Sequence, residues 1–237
     1  MSAGSNRPEV KWGWLAAIGV SLAVTVLGQL VVALVVAALG WDLDNLSLSQ
    51  TYTLGTLSLI FPVLGLWWYL SRRQASPADI GLGSRPKRFL KPLLKNFGLY
   101  ILYTMLAVFV VTTIAPSIDL DQAQNLGLGD QPSTWLEYTS LFLLLAVFTP
   151  LSEEIIFRGF MLRGMAGRFG WTAAAVFTSL MFGVAHGQIN VAIDTAIMGW
   201  FSAQLVITTD SLWPSIALHS LKNTIAFALV FLGPLLS

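Results

Sequence analysis

The chain has 237 residues, of which 55% are hydrophobic and 11% charged, and a mean hydropathy of +0.72, a balance that excludes one or two ordinary soluble domains and indicates a polytopic membrane protein. A net charge of +1, from 13 Lys and Arg against 12 Asp and Glu, leaves no basis for a nucleic-acid partner. The absence of cysteine excludes a thiol nucleophile, a disulfide framework, thiolate metal ligands and a prenyl anchor on the chain itself.

In chain order, uncharged stretches run from Trp12 to Trp41, Asn45 to Ser71 and Asn96 to Ile118, each long enough to cross a hydrocarbon core of about 30 Å at about 1.5 Å per residue. The first is too long, and lacks the small-residue cleavage pattern, to be a removable signal peptide, so it is expected to be a retained helix. Shorter apolar segments follow at Tyr138 to Ser152, Phe169 to Ala185, Thr195 to Thr209 and Leu212 to Leu232, for seven predicted helices. The expected fold is an all-α, polytopic transmembrane bundle of about seven spans. It forms a single membrane domain over 1–237, with apolar helices in 12–134 and the chemically equipped helices in 135–237.

Cations cluster on alternate connections: Arg7 and Lys11 before helix 1; Arg72, Arg73, Arg85, Lys87, Arg88, Lys91 and Lys95 between helices 2 and 3; Arg163 and Arg168 between helices 4 and 5. The other connections carry Asp42, Asp44, Asp119, Asp121, Asp130 and Glu137. The positive-inside rule then predicts a cytoplasmic N-terminus and, with seven spans, a C-terminus outside, in a plasma membrane of prokaryotic type or its equivalent. The basic connection from Ser71 to Asn96 mixes Pro, Gly and cations with Phe89, Leu90, Leu93 and Leu94 and is expected to lie along anionic headgroups. Trp12, Trp14, Trp67, Trp68, Trp135, Trp171 and Trp213 fall near span ends and read as interfacial anchors.

Polar groups inside the spans divide the chain. Helices 1 to 3 hold no charged residue, whereas the part from Ser152 onward holds Glu153, Glu154, Arg158, His186, Asp194, His219, Lys222 and Asn223. An ionisable group at membrane depth costs about 3 kcal/mol and calls for a partner or a function. Glu154 and Arg158 are spaced i, i+4 and predict an intrahelical ion pair. Glu153, rotated about 100° from Glu154 on a helix, is left without a local partner. It lies about 27 Å along the helix from Trp135, either at the headgroup end of helix 4 or inside a helix that continues through Arg163. His186 stands four residues after Phe182, and Asn223 four after His219. Phe182 reads as packing, Gly199 and Ala203 as a close helix contact, and Asp194 as a cap at the start of helix 6.

A carboxylate in an apolar cavity is suited to act as general base. Were Glu153, His186, His219 and Asn223 to converge, Glu153 would activate a water held by His186, while His219 and Asn223 would donate to the oxyanion formed on a peptide carbonyl. The same His186, His219 and Glu153 form an alternative zinc donor set with an open position, although the compact HExxH signature is absent.

The strings EEIIFRG (Glu153 to Gly159), FGVAH (Phe182 to His186) and HSLKN (His219 to Asn223) resemble the three motifs of the CPBP, or Abi, family of intramembrane endopeptidases, which includes the type II CAAX prenyl endopeptidases. The resemblance implies proteolysis of a membrane-associated or prenylated protein or peptide. In it Glu153 is the water-activating base, His186 its partner on the water, His219 and Asn223 transition-state stabilisers, and Glu154 and Arg158 structural support. The family has been described as metalloprotease-like, and a glutamate-dependent route without metal is also proposed for it. Lys222 departs from the more apolar residue expected beside Asn223. The alternatives are a scaffold or chaperone on the same fold, and a proton-coupled transporter using Glu153, His186 and Asp194. A GLGD string at Gly127 to Asp130 matches an aspartyl intramembrane protease signature but sits in a polar connection without a second aspartate. A rhomboid-like serine site lacks a suitably placed serine motif.

Overall fold

The computed structural model describes residues 10–43, 45–84, 86–120 and 132–233; Arg7, Asp44, Arg85, Asp121, Asp130 and the GLGD string lie outside them. Among the described residues the fold is all-helical, with no strand. Seven helices follow one another: α1 (Trp14–Leu39), α2 (Leu48–Arg72), α3 (Leu90–Ile114), α4 (Trp135–Phe169), α5 (Trp171–Val184), α6 (Ile189–Thr209) and α7 (Trp213–Leu232). All but α5 are long and apolar enough to span a bilayer, which makes this a multi-pass membrane protein. With 14 residues, α5 reaches only about 21 Å, and it packs on α6 so closely that a Cβ on Gly183 would lie 2.6 Å from the Ala192 carbonyl oxygen.

Local chemistry sets several helix ends. Ser47 and Gln50 form a reciprocal capping box at the start of α2, and Thr134 and Glu137 form another at the start of α4. The chain leaves α1 through Gly40 at φ 63°, a left-handed turn that glycine adopts without strain.

The longest departure from expectation is α4, which runs 35 residues rather than ending near Ser152. It is not uniformly α-helical: π-helical segments at Leu143–Phe148 and Ile155–Met161 flank an α-helical piece, Thr149–Glu154. Pro150 gives a physical reason for the first, because it brings no N–H and its ring crowds the preceding turn. The Thr149 hydroxyl donates to the Leu144 carbonyl at 2.8 Å, five residues back. Glu153 therefore lies well inside a helix that continues through Arg163.

The connection between α2 and α3 divides. Its second half keeps the expected amphipathic character, with Leu90 and Leu94 exposed beside Lys87, Arg88, Lys91 and Lys95. Its first half is clamped onto the protein. Ile80 is buried, the Gly81 carbonyl (φ 85°) accepts from the Leu212 N–H at 2.9 Å, Ser211 donates to the Ser84 carbonyl at 2.6 Å, and the Trp213 indole donates to the Leu82 carbonyl at 3.0 Å. Asp79 accepts from the Ser76 N–H at 2.6 Å and its hydroxyl at 2.8 Å, and pairs with Lys11 at 3.2 Å. The Ser76 N–H, above all, holds the Asp79 carboxyl below its ordinary value, with the Ser76 hydroxyl and Lys11 assisting. Trp12 is also more than an anchor: it is buried, stacks on Phe160 at 4.9 Å and donates to the Phe160 carbonyl at 3.1 Å. Trp67, Trp68 and Trp135 stay exposed, as an interfacial belt requires.

A continuous apolar core draws residues from all seven helices and from Ile80, and a smaller one joins Leu141 of α4 to Phe227 and Phe231 of α7. The outward faces of α1, α2 and α3 carry large apolar side chains such as Leu34, Leu64 and Phe109, as lipid contact demands.

Candidate active site

Glu154 anchors a buried polar network between α4 and α7. It and Arg158 are both 0% exposed, with Oε1 of the glutamate 3.1 Å from Nη1 of the arginine. The Ser215 hydroxyl donates to Oε2 of the same carboxylate, and His219 Nδ1 lies 3.1 Å from Oε1. A carboxylate can only accept, so His219 carries its proton on Nδ1. The Arg158 guanidinium also sits 4.3 Å above the Phe182 ring, a desolvated cation–π contact. Gly199 leaves the room this cation needs, since a Cβ there would lie 2.6 Å from Arg158 Nη2. The expected close helix contact is thus present at Gly199, where a Cβ would also lie 3.2 Å from the Ser179 Cα and the space houses a charge, while Ala203 is buried.

Glu153 lies on the other side of the same imidazole, with its Oε2 3.6 Å from His219 Nε2. One ring is therefore addressed by two adjacent carboxylates, one on each nitrogen. Glu153 also lines a cavity of about 340 Å³ among α1, α2 and α4, together with Gln29, Thr51, Ser58 and Thr149. The front helices, apolar in composition, contribute polar groups to this cavity.

His186 is fixed by its own helix end. Its Nδ1 donates to the Phe182 carbonyl at 2.8 Å, leaving Nε2 as the free nitrogen. The Phe182 ring meets both imidazoles edge-on, at 4.9 Å from His186 and 5.8 Å from His219. Phe182 is thus the shared wall of the two histidines and the seat of Arg158, a role that packing alone understates. Asn223 donates from Nδ2 to the Leu145 carbonyl at 2.8 Å, inside the first π-helical segment of α4. Asp194 is not a helix cap. Lying within α6, it pairs with Lys222 at 3.2 Å and accepts from the Tyr100 hydroxyl at 2.6 Å.

Ser215, Tyr100 and Gln29 escaped the sequence reading. The only signal for Ser215 was its position four residues before His219 on one helix face. Among the described residues no group of three His, Asp or Glu side chains is gathered so as to hold a metal ion. Glu154, which is not part of the zinc donor set of His186, His219 and Glu153, is held by Arg158, Ser215 and His219.

Residues 135–225 match the family model described as Type II CAAX prenyl endopeptidase Rce1-like. Across this region the chain is similar to that family. The matched region runs from the start of α4 into α7 and contains Glu153, Glu154, Arg158, His186, His219 and Asn223. An Escherichia coli relative bearing the name "Uncharacterized 24.3 kDa protein" is 32% identical over 99 residues, covering 40% of this chain and 44% of the relative. The "Putative membrane peptidase YdiL" of Bacillus subtilis (strain 168) is 26% identical over 84 residues, covering 35% of this chain and 34% of the relative. The chain spans less than half the length of these curated relatives. No solved structure matches it significantly.

Proposed function

We propose that the protein is an intramembrane endopeptidase that hydrolyses a peptide bond of a membrane-associated or prenylated protein or peptide with a water activated by Glu153. The observation that carries this reading is the placement of His219 between two glutamates, Nδ1 at 3.1 Å from Glu154 and Nε2 at 3.6 Å from Glu153, beside the Glu153 cavity. The Rce1-like match over residues 135–225 supports the same class of activity.

In this mechanism Glu153 takes one proton from a water whose oxygen attacks the scissile carbonyl, and His186 orients that water by accepting its other hydrogen at Nε2. Glu154 fixes the Nδ1–H of His219 and so turns its Nε2 edge toward Glu153 and the reacting centre, and a proton taken up on Nε2 during the reaction is donated to the oxyanion. Arg158 balances Glu154, leaving Glu153 as the carboxylate free to accept a proton. Asn223 spends one amide hydrogen on Leu145 and has the second for the oxyanion. When the C–N bond breaks, Glu153 returns its proton to the leaving amine. The distribution of cations supports a cytoplasmic N-terminus, and the proposed setting is a plasma membrane of prokaryotic type or its equivalent.

The test is comparative proteomics of membranes carrying wild type, Glu153→Ala or His186→Ala. The expected result is an uncleaved precursor in both variants, which still insert and fold. Full complementation of a deletion strain by Glu153→Ala would sink the protease reading in favour of a scaffold, and proton-gradient-dependent flux would favour a transporter.

A further inference from the structure

Lys222 stands next to Asn223 and one turn beyond His219 on α7. Its Nζ lies 3.2 Å from Asp194 Oδ2. The opposite oxygen of Asp194 accepts from the Tyr100 hydroxyl at 2.6 Å and the Thr104 hydroxyl at 3.5 Å, so α3, α6 and α7 meet at one carboxylate. Lys222 and Asp194 remain about a quarter exposed or less. Both line a cavity of about 320 Å³, separate from that of Glu153, with Thr104 and Asn190 as further polar groups and Val108, Val111 and Val191 among its apolar walls.

The two members of the pair are unequally tied. Asp194 keeps two hydroxyl donors if Lys222 turns away. Lys222 makes its ion pair with Asp194 alone among the described residues, and an ammonium has three hydrogens to give. An apolar-walled cavity with one releasable cation is a receptor for an anion that brings an apolar body with it. We propose that this cavity is a substrate subsite in which Lys222 leaves Asp194 to bind a carboxylate of the peptide, while Tyr100 and Thr104 hold Asp194 in place. The inference rests on the protease reading of the Glu153 site. It adds a specificity determinant at the one position of the third motif string where this chain departs from the apolar residue expected beside Asn223. The carboxylate is either the free chain terminus or an Asp or Glu side chain near the scissile bond.

The experiment takes a peptide spanning the cleavage site found by proteomics. It is prepared with its free C-terminus, as the C-terminal amide, and with each acidic side chain replaced by its amide. Full-length protein in detergent is assayed as wild type, Lys222→Met, Lys222→Arg and Asp194→Asn. Wild type is expected to prefer one carboxylate form by about tenfold or more, expressed in KM, as a charge-assisted hydrogen bond implies. The amide that loses this preference tells terminus from side chain. Lys222→Met should bring the ratio to near one with kcat largely kept, and Lys222→Arg should restore it. Asp194→Asn, which frees Lys222, should enlarge it, and keeps the test open if Lys222→Met fails to fold. An unchanged ratio in Lys222→Met or in Asp194→Asn overturns the subsite while leaving the protease reading intact. Absence of Glu153-dependent cleavage in wild type removes both.

Discussion

Replacing Arg158 by Met should be among the most destabilising single substitutions in the chain. The guanidinium and the Glu154 carboxylate are both fully buried, 3.1 Å apart, and the cation rests on the Phe182 ring. Arg158→Met leaves an unneutralised carboxylate in the core, a loss of about 3–5 kcal/mol. Glu154→Met strands the arginine and costs a similar amount by the same argument. The double variant removes both charges and orphans only the Ser215 hydroxyl and His219 Nδ1–H, each worth about 1–3 kcal/mol. It should therefore cost about as much as either single change instead of their sum. For a chain of this size, about 2–4 °C per kcal/mol places each single variant roughly 6–20 °C below wild type. The assay is unfolding in detergent at fixed scan rate for the four proteins of the cycle. Additive losses, or single variants within about 1 kcal/mol of wild type, would refute the view that the pair is electrostatically coupled and desolvated.

Gly199→Ala places a Cβ 2.6 Å from Arg158 Nη2 and 3.2 Å from the Ser179 Cα; it should cost about 1–3 kcal/mol, and the same unfolding assay should show that loss largely absent in an Arg158→Met background. Ser215→Ala removes a donor to the buried Glu154 carboxylate and should lower stability by about 1–3 kcal/mol, whereas Ser215→Thr, which retains the hydroxyl, should recover part of it. Asp79 has its carboxyl pKa lowered by Ser76 and Lys11, so its contribution to docking residues 74–84 is complete above the unfolded value of 3.8 and fades as pH falls through the lower folded value. Hydrogen exchange across that segment should rise on acidification into this range, and Asp79→Asn should raise exchange at neutral pH and abolish the acid dependence.

Composition and charge spacing were enough to place seven helices, because a bilayer selects length and apolarity, and both are local properties. They also singled out Glu153, Glu154, Arg158, His186, His219 and Asn223, since ionisable and amide groups stand out against an apolar background. Partners chosen by tertiary packing were not legible. Ser215 is 61 residues from Glu154, Tyr100 is 94 from Asp194, and each looks like an ordinary helix residue until its neighbour is known. The docking of the first half of the α2–α3 connection was hidden for a related reason. Its cations suggested headgroups, but buried Ile80 and the backbone acceptors Gly81, Leu82 and Ser84 bind it to the α6–α7 junction.

The neighbouring glutamates show how local geometry and tertiary chemistry combine. Helical rotation separates adjacent side chains by about 100°, which suggests that Glu153 and Glu154 should serve different partners. They meet the same one, because an imidazole presents its two nitrogens on different edges and His219 enters from α7 between them. Arg158, Ser215 and His219 Nδ1 saturate Glu154, and Gly199 allows Arg158 to sit where it can do so. What remains for Glu153 is Nε2 of the ring and a cavity whose walls include Gln29 and Thr51 from the helices that looked inert. The ion pair read as mere support therefore occupies Glu154 and leaves Glu153 as the carboxylate to which the proposed mechanism gives proton transfer.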